Sequence, residues 1–285
     1  MRHILKQLTP PILVKIMKAL FPSVFGGSDM EYIREGWHYR ATHPQVRGWD
    51  VPDILEVYKR KWPLFASAVQ GTGALGISHE SPVMTTTDVH SHNITVAFAY
   101  VAAMAAHGRT SISVLDWGGG IGHYYLLARA LLDGIDIDYH CKDLARFADY
   151  GATVLPDQHF YTDRSCLERS YDLVMASGSL HFDEGWNELL ARLAKSTRGY
   201  LYLTRVPTAF EGQSFVFVQR PYRYGYNTEY LGWCLARDEV LQQARTFGLT
   251  LVREFALGDM PILDAPAECR SWGYLFRPGG ESRPE

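Results

Sequence analysis

The feature that most constrains this chain is the alternation of short apolar runs with helical patterns that begins at Ser111. Runs rich in β-branched and apolar residues predict strands, and most are followed by a segment with apolar residues at helical spacing. Such alternation indicates parallel strands whose connecting helices cover both faces of the sheet. We therefore predict an α/β fold built on a doubly wound sheet of seven strands. The predicted strands are 112–116, 137–142, 159–161, 171–176, 200–206, 249–255 and 272–276, and the helices are 124–132, 144–150, 184–195 and 238–247.

The first 108 residues differ, because they are mainly helical in pattern and contain no convincing strand alternation. We predict an N-terminal helical cap over 1–108, a sheet domain over 109–278 with an insertion at 207–235, and a flexible tail over 279–285. A helix over 53–65 should end near Pro63. A second helix, capped by Thr85-Thr86-Thr87-Asp88, should reach about residue 107.

Near the start of the chain, apolar residues recur on one helical face: Ile12, Leu13, Ile16, Met17 and Leu20. Two lysines interrupt this run and no small-residue cleavage site follows, so it does not fit a signal peptide. We expect this helix to dock on the protein or on a second copy of it, forming a homodimer through the N-terminal region.

Composition bounds the partners and the compartment. The 285 residues carry a formal net charge of −3, which argues against recruitment of nucleic acid or an anionic membrane by the chain as a whole. The longest apolar run, residues 96–106, is too short to span a bilayer, so no stable membrane insertion is expected. The four cysteines form no CxxC pair and are expected to be buried, reduced thiols. We therefore predict a cytoplasmic protein.

A glycine-rich segment after the strand at 112–116 is the most informative motif. Asp116, Gly118, Gly120 and Gly122 satisfy the pattern Asp-x-Gly-x-Gly-x-Gly between a strand and a helix. Glycines at such a turn let the backbone lie directly against a ligand. The dinucleotide pattern Gly-x-Gly-x-x-Gly fails, because its last position falls on a histidine. A second acid, Asp143, ends the next predicted strand 21 residues after Gly122, where an acid can accept hydrogen bonds from ribose hydroxyls.

This register resembles motif I of the class I S-adenosylmethionine-dependent methyltransferases, which have a Rossmann-like fold. The resemblance implies that the glycines pack against the methionine part and the ribose of S-adenosylmethionine. It also implies that Asp116 helps to hold the ammonium of the cofactor, directly or through water, and that Asp143 holds the ribose. The cofactor contacts implied at these two strand ends are Asp116, Gly118, Gly119, Gly120, Gly122, Asp143 and Leu144.

Further segments extend the resemblance over nearly the whole chain, towards a bacterial subfamily of methyltransferases with no assigned substrate. In that subfamily the second core strand usually ends in Val-Glu, whereas Lys142-Asp143 stands here, a change that keeps an acid for the ribose. The segments are Phe25-Gly26-Gly27, Leu-Asp-Trp-Gly-Gly-Gly at 115–120, Ala-Ser-Gly-Ser-Leu-His at 176–181, Thr-Arg-Val-Pro at 204–207 and Val218-Gln219.

Two later strand ends supply the rest of the predicted rim. By analogy with the family, Asp163 contacts the adenine amino group, with a solvated surface acid as the equal alternative. Ser177, Gly178 and Ser179 face the sulfonium, where small residues let an acceptor approach closely. His181 is the candidate catalytic base, because an imidazole titrates at about pH 6.5. A packed histidine that supports the loop is the alternative, since methyl transfer from a sulfonium can proceed by positioning alone.

The aromatic content points to an acceptor pocket. The chain holds 7 Trp, 17 Tyr and 13 Phe, and several of them cluster at 222–233 in the predicted insertion. We interpret this stretch as a lid over a small organic acceptor, with O-methylation slightly favoured over N- or C-methylation. Predicted substrate contacts are His123, Tyr124, Tyr224 and Tyr226.

Other functions remain open at this point. One is a catalytically silent cofactor-binding or scaffolding protein with the same fold, and another is an NAD(P)-dependent oxidoreductase. RNA binding by the arginine- and tyrosine-rich stretch 220–226 is disfavoured by the net acidic charge. The pairs His181-x-Asp183 and His90-x-His92 resemble metal-ligand spacings. The first would normally lie in a β-rich fold and the second would point its rings apart on a helix, so we predict no metal.

Overall fold

The computed structural model describes residues 28–76 and 88–279. The N-terminal helix with its homodimer contact, the segment Phe25-Gly26-Gly27, the threonines before Asp88 and the tail beyond residue 279 lie outside these residues. The strands are β1 (Met30–Tyr32), β2 (Ser111–Trp117), β3 (Asp136–Lys142), β4 (His159–Tyr161), β5 (Tyr171–Ser177), β6 (Thr197–Ala209), β7 (Phe215–Gln219), β8 (Tyr230–Ala236), β9 (Leu249–Asp259) and β10 (Cys269–Pro278). The helices are α1 (Pro52–Gln70), α2 (Val89–Ala106), α3 (His123–Leu131), α4 (Ala145–Val154), α5 (Trp186–Lys195) and α6 (Arg237–Thr246).

Seven of these strands form the core sheet in the order β4-β3-β2-β5-β6-β10-β9. Neighbours from β4 to β6 are parallel, and β10 is antiparallel to both β6 and β9. From β2 the chain adds β3 and β4 on one side, and it then returns to the other side of β2 to form β5 and β6. Folds of this kind bind ligands at the carboxyl ends of the strands beside that reversal. The predicted α/β, Rossmann-like sheet of seven strands is confirmed.

Helices cover both faces of this sheet. Val114 of β2 packs in a cluster with α2 and α3, whereas its neighbour Leu115 packs in a cluster with α5 and α6. Burial on both faces explains why the core strands are nearly continuous apolar runs. Since α2 shares its cluster with the sheet, residues before 109 contribute to the same core, and the division at residue 108 stays a prediction.

A smaller sheet extends the core sheet on the side of β6. That strand is 13 residues long, and its last two residues pair in parallel with β8. β7 then pairs antiparallel with β8, and β1 antiparallel with β7. β1 lies in the region predicted to be mainly helical, where the sequence shows no convincing strand alternation. β1 has only three residues, too few for an alternation to be visible in sequence, and it forms by adding to the edge of β7.

The ends of α1 and α2 test two local predictions. α1 continues through Pro63 to Gln70, so the predicted end near Pro63 was wrong. A proline inside a helix costs about 3 kcal/mol, but Phe65 and Val69 beyond it are buried, which contributes about 1.5–3 kcal/mol for each side chain. The predicted cap of α2 is confirmed at Asp88, whose side chain accepts a hydrogen bond from the Ser91 amide at 2.9 Å.

Cysteine chemistry and membrane insertion can both be checked against the fold. All four cysteines are free and buried, as predicted. Within residues 28–76 and 88–279, no helix has the length and apolarity needed to cross a membrane.

Candidate active site

A tight glycine turn joins β2 to α3 beside the reversal of strand order. Gly118, Gly120 and Gly122 have φ values of 73°, 63° and 95°, in the left-handed region that side chains other than glycine rarely adopt. A Cβ on Gly118 would lie 2.4 Å from Cβ of Ser179, so the end of β5 packs directly on the turn. The turn therefore presents bare backbone to the space above the sheet.

Asp143, at the end of β3, fixes this turn from the neighbouring strand. One of its oxygens accepts the amide hydrogen of Gly120 at 2.7 Å, and the other accepts that of Leu144 at 2.6 Å. Burial raises the pKa of this carboxyl despite the two hydrogen bonds. Each carboxylate oxygen can accept a further bond, so Asp143 is equipped to hold hydroxyl groups of a ligand.

A cavity of about 510 Å³ lies above these strand ends. Its volume is within the range of about 300–1,000 Å³ common for sites that enclose small ligands. The sequence-predicted residues that it brings together come from three strand ends and the start of α3. They are Gly118, Gly119, Gly120, His123, Tyr124, Asp143, Leu144, Ser177, Gly178 and Ser179.

The hydroxyl groups around this cavity are mutually oriented. Tyr124 and Ser177 share a hydrogen bond of 2.7 Å between their hydroxyls. Ser179 donates to the backbone oxygen of Trp117 at 2.6 Å, which ties the β5 loop to the end of β2. Gly178, between the two serines, has φ 62°, and a Cβ there would lie 3.2 Å from the guanidinium carbon of Arg205.

Asp116 lies beneath the glycine turn, not in the cavity wall. Its side chain is fully buried, one oxygen accepts the Tyr139 hydroxyl at 2.6 Å, and the other has no hydrogen-bond partner among the described residues. Burial raises the pKa of Asp116 to about 7, partly offset by the Tyr139 hydrogen bond. A contact with the ammonium of a cofactor stays a prediction, and it would have to pass through the floor formed by Gly119.

Asp163 and Gly122 also lie outside the cavity wall. Asp163 is exposed and accepts the backbone and hydroxyl hydrogens of Ser165 at 2.9 and 2.6 Å, interactions that hold its pKa below the usual range. Its neighbour Arg164 does line the cavity. Gly122 begins α3 against Leu155 and shapes the turn from behind. The predicted contact of Asp163 with adenine therefore stays a prediction.

A second cavity, of about 570 Å³, adjoins the first. His181 and Tyr224 line the second cavity only, whereas Tyr226 lines neither and is buried in a cluster with Val51 and Ile121. Asp183 lines the first cavity, so the His181-x-Asp183 pair is divided between the two spaces. The residues that line both cavities are Trp49, His123, Tyr124, Gly178, Phe182, Arg205 and Tyr230.

Arg205 is a residue of this shared wall that sequence reasoning missed. Leu203 of β6 pairs with Tyr274 and Val206 pairs with Trp272, so two residues of β6 oppose the single Gly273. This bulge gives Arg205 a φ of 57°, which is rare for a residue with a side chain, and bulges beside active sites commonly re-aim a side chain. Thr-Arg-Val-Pro carried the resemblance, but nothing in the sequence marked its arginine for the site.

An aromatic cluster completes the shared wall. Trp49 stacks on Tyr230 with ring centroids 4.4 Å apart, and Phe182 packs edge-on against both rings. Trp49 precedes α1, Phe182 follows β5 and Tyr230 starts β8, so the cluster joins three distant parts of the chain. No local pattern could have predicted this meeting, although Tyr230 stood among the aromatic residues of the insertion.

Many solved structures match this fold, among them two methyltransferases and one domain solved with S-adenosylhomocysteine bound. CcbJ of Streptomyces caelestis has 16% identity and a TM-score of 0.45, over 65% of this chain and 89% of its own. The 1,6-didemethyltoxoflavin-N1-methyltransferase of Burkholderia thailandensis, with S-adenosylhomocysteine bound, has 15% identity and a TM-score of 0.47, over 85% and 90%. The N-terminal domain of EvdMO1, also with S-adenosylhomocysteine, has 16% identity and a TM-score of 0.48, over 81% and 100%.

No protein-family model matches the sequence, and a search of curated proteins gives no match. The three solved structures have TM-scores below 0.5, so they do not decide the role of any residue in this chain. What the two cavities can do follows from their own side chains.

Proposed function

We propose that this protein is an S-adenosylmethionine-dependent methyltransferase that acts on a small organic acceptor. The observation that carries the proposal is the joint placement of the glycine turn and Asp143 on one cavity of about 510 Å³, beside the reversal of strand order. A bare backbone cradle next to a partly buried carboxylate suits a ligand with a ribose. When bound, S-adenosylmethionine supplies the sulfonium-linked methyl group that is transferred.

The residues of the first cavity would bind and orient this cofactor. Gly118, Gly119 and Gly120 would present bare backbone to the cofactor, because the side-chain directions of all three point into neighbouring protein atoms. Asp143 would accept hydrogen bonds from ribose hydroxyls, and Leu144 would cover an apolar face of the nucleoside. Ser177 and its hydrogen-bonded partner Tyr124 would border the reacting end.

The second cavity would hold the acceptor. Gly178 belongs to both walls, so a route between the two spaces would pass beside it. The rings of Trp49, Phe182 and Tyr230 would exclude water from this route, which favours transfer over competing hydrolysis. We propose a hydroxyl acceptor whose proton is taken by His181. This histidine lines the second cavity and not the first, and it lies three residues beyond Gly178.

Calorimetric titration tests the cofactor assignment. Wild-type protein should bind S-adenosylmethionine and S-adenosylhomocysteine and should not bind NAD. Replacing Asp143 with Ala should weaken binding by about 10–100-fold, the equivalent of one charge-assisted hydrogen bond of about 1.5–3 kcal/mol. Asp149→Ala is the matched control, because Asp149 is an exposed aspartate on α4 just beyond the site.

The outcomes separate the competing functions. If neither sulfur compound binds, the proposal is wrong, and binding of NAD alone would favour the oxidoreductase. If the cofactor binds but no acceptor in a broad set of phenols, carboxylic acids and amines is methylated, the catalytically silent protein is favoured. Equal affinities of Asp143→Ala and wild type would remove Asp143 from the site, once thermal melting shows that the variant is folded.

A further inference from the structure

A cluster of metal-ligating side chains lies away from both cavities, on β3 and β4. Asp138 and His140 are two residues apart on β3, so their side chains share one face of the sheet. His159 on β4 is the register partner of His140. One nitrogen of each ring and a carboxylate oxygen lie within 4.8 Å of one another. Among residues 28–76 and 88–279, this is the one group of three or more such residues.

The separations within the cluster match those around a small divalent ion. Oδ1 of Asp138 lies 2.9 Å from Nε2 of His140 and 3.6 Å from Nε2 of His159. Ligands that bind zinc tetrahedrally at about 2.0–2.2 Å stand about 3.3–3.6 Å apart. The separation between Asp138 and His159 is close to this spacing, and the shorter contact between Asp138 and His140 is a hydrogen bond that an ion would replace.

The surroundings fix the ring of His140 and allow the ring of His159 to reorient. The side chain of His140 is fully buried, and its Nδ1 shares a hydrogen bond of 2.9 Å with the Tyr161 hydroxyl. A partner on the second ring nitrogen is the usual way in which proteins orient a histidine ligand. His159 is 56% exposed, so its ring can turn from its present stacking on His140, with centroids 4.5 Å apart, towards Asp138. Arg169 approaches Oδ2 of Asp138 at 3.6 Å and leaves Oδ1 to the site.

We propose that Asp138, His140 and His159 bind a divalent transition metal through one oxygen and two nitrogens, with Zn²⁺ as the fitting ion. Two imidazoles and a carboxylate suit zinc, and the exposed side of the cluster leaves its fourth position to water. The ion would join β4, a three-residue edge strand that pairs only with β3 among the described strands. The ion would stabilise the folded sheet, and the site does not depend on the proposed methyl transfer.

Titration with Zn²⁺ alone tests the site. The full chain, without a histidine tag and dialysed against a chelator, should bind one equivalent and melt at a higher temperature, because the ion binds the folded state. His159→Asn should bind at least about tenfold more weakly. His107→Asn is the matched control, since His107 is an exposed histidine just after α2, and it should bind as the wild type does.

Cobalt provides a spectroscopic readout of the same ligands. Co²⁺ should give d–d absorption bands typical of nitrogen and oxygen ligands in the wild type and in His107→Asn, and His159→Asn should lose them. Asp138→Asn should weaken binding as well, which excludes a site formed by the histidines alone. The inference is overturned if the wild type shows no saturable binding, or if His159→Asn binds as tightly as the wild type, because the ion then lies elsewhere.

Discussion

The two cavities differ in how the chain builds them. The first takes its glycine turn and Asp143 from short segments that end neighbouring parallel strands, and the positions of these segments follow from the sheet. The residues that line only the second come from distant parts of the chain and meet through long-range packing, such as Ile94, Tyr224 and Met260. Under the proposed function, the regular sheet would hold the methyl donor and the irregular elements would hold the acceptor. Substitutions should therefore affect the two functions separately.

The strongest test of this separation is His181, which lines the second cavity only. Replacement by Asn should lower kcat by about 10²–10⁴-fold at neutral pH, the usual contribution of a general base. Affinity for S-adenosylhomocysteine should not change. The measurements are the pH–rate profile, with an acceptor that the wild type methylates, and a titration with S-adenosylhomocysteine. Matching profiles for variant and wild type would assign His181 to packing, and a loss of cofactor affinity would show that the cavities are not independent.

Asp116 lies beneath the first cavity, and its ionisation should lower the free energy of unfolding. Its pKa of about 7 in the folded protein lies above the ordinary value of 3.8, so ionisation destabilises the fold as pH rises between these values. Asp116→Asn cannot ionise and can still accept the Tyr139 hydrogen bond. Its gain in unfolding free energy over the wild type should increase by about 2–3 kcal/mol from about pH 5 to about pH 8. Urea unfolding at several pH values measures this gain, and a gain independent of pH would contradict the assignment.

Two glycines with the same backbone conformation give the finest comparison. Gly118 in the turn and Gly134 before β3 have φ values of 73° and 72°, but a Cβ on Gly134 would meet nothing within 4 Å. Alanine at either position should cost about 1–2 kcal/mol for the left-handed conformation. Gly118→Ala should cost about 1–3 kcal/mol more through its clash with Ser179, and it alone should weaken binding of S-adenosylhomocysteine. Equal unfolding energies and affinities would show that the turn yields without affecting the site.

Local patterns predicted the regular half of the molecule well. The core strands, the glycine turn and the placement of Asp143 follow from apolar periodicity and from glycine spacing, which are properties of neighbouring residues. Asp163 follows a strand end just as Asp143 does, but it caps a turn with Ser165, and a one-dimensional pattern cannot distinguish the two outcomes. β4 has only three residues, and the loop after it is shaped by the hydrogen bonds between Asp163 and Ser165.

The irregular half could not be predicted in the same way. Tyr224 and Tyr226 are two residues apart, which on a strand would place them on one face. The left-handed Gly225 between them turns the chain, so Tyr224 packs on the edge of the cluster and lines the second cavity, whereas Tyr226 is buried within the cluster. Arg205 depends on pairing between β6 and β10, which are separated by about 60 residues in the chain. Such contacts are set by the folded topology and leave no local pattern.

The extra residue in β6 also determines to which face of the sheet the later side chains of this strand point. Leu203 and Val206 are an odd number of residues apart, yet both pack in the cluster with α5 and α6. In an uninterrupted strand they would point to opposite faces. The alternation of side chains along β6 is therefore reversed between the part that pairs with β5 and the part that pairs with β8. The inward and outward faces of the smaller sheet, and with them the shape of the second cavity, follow from this single shift.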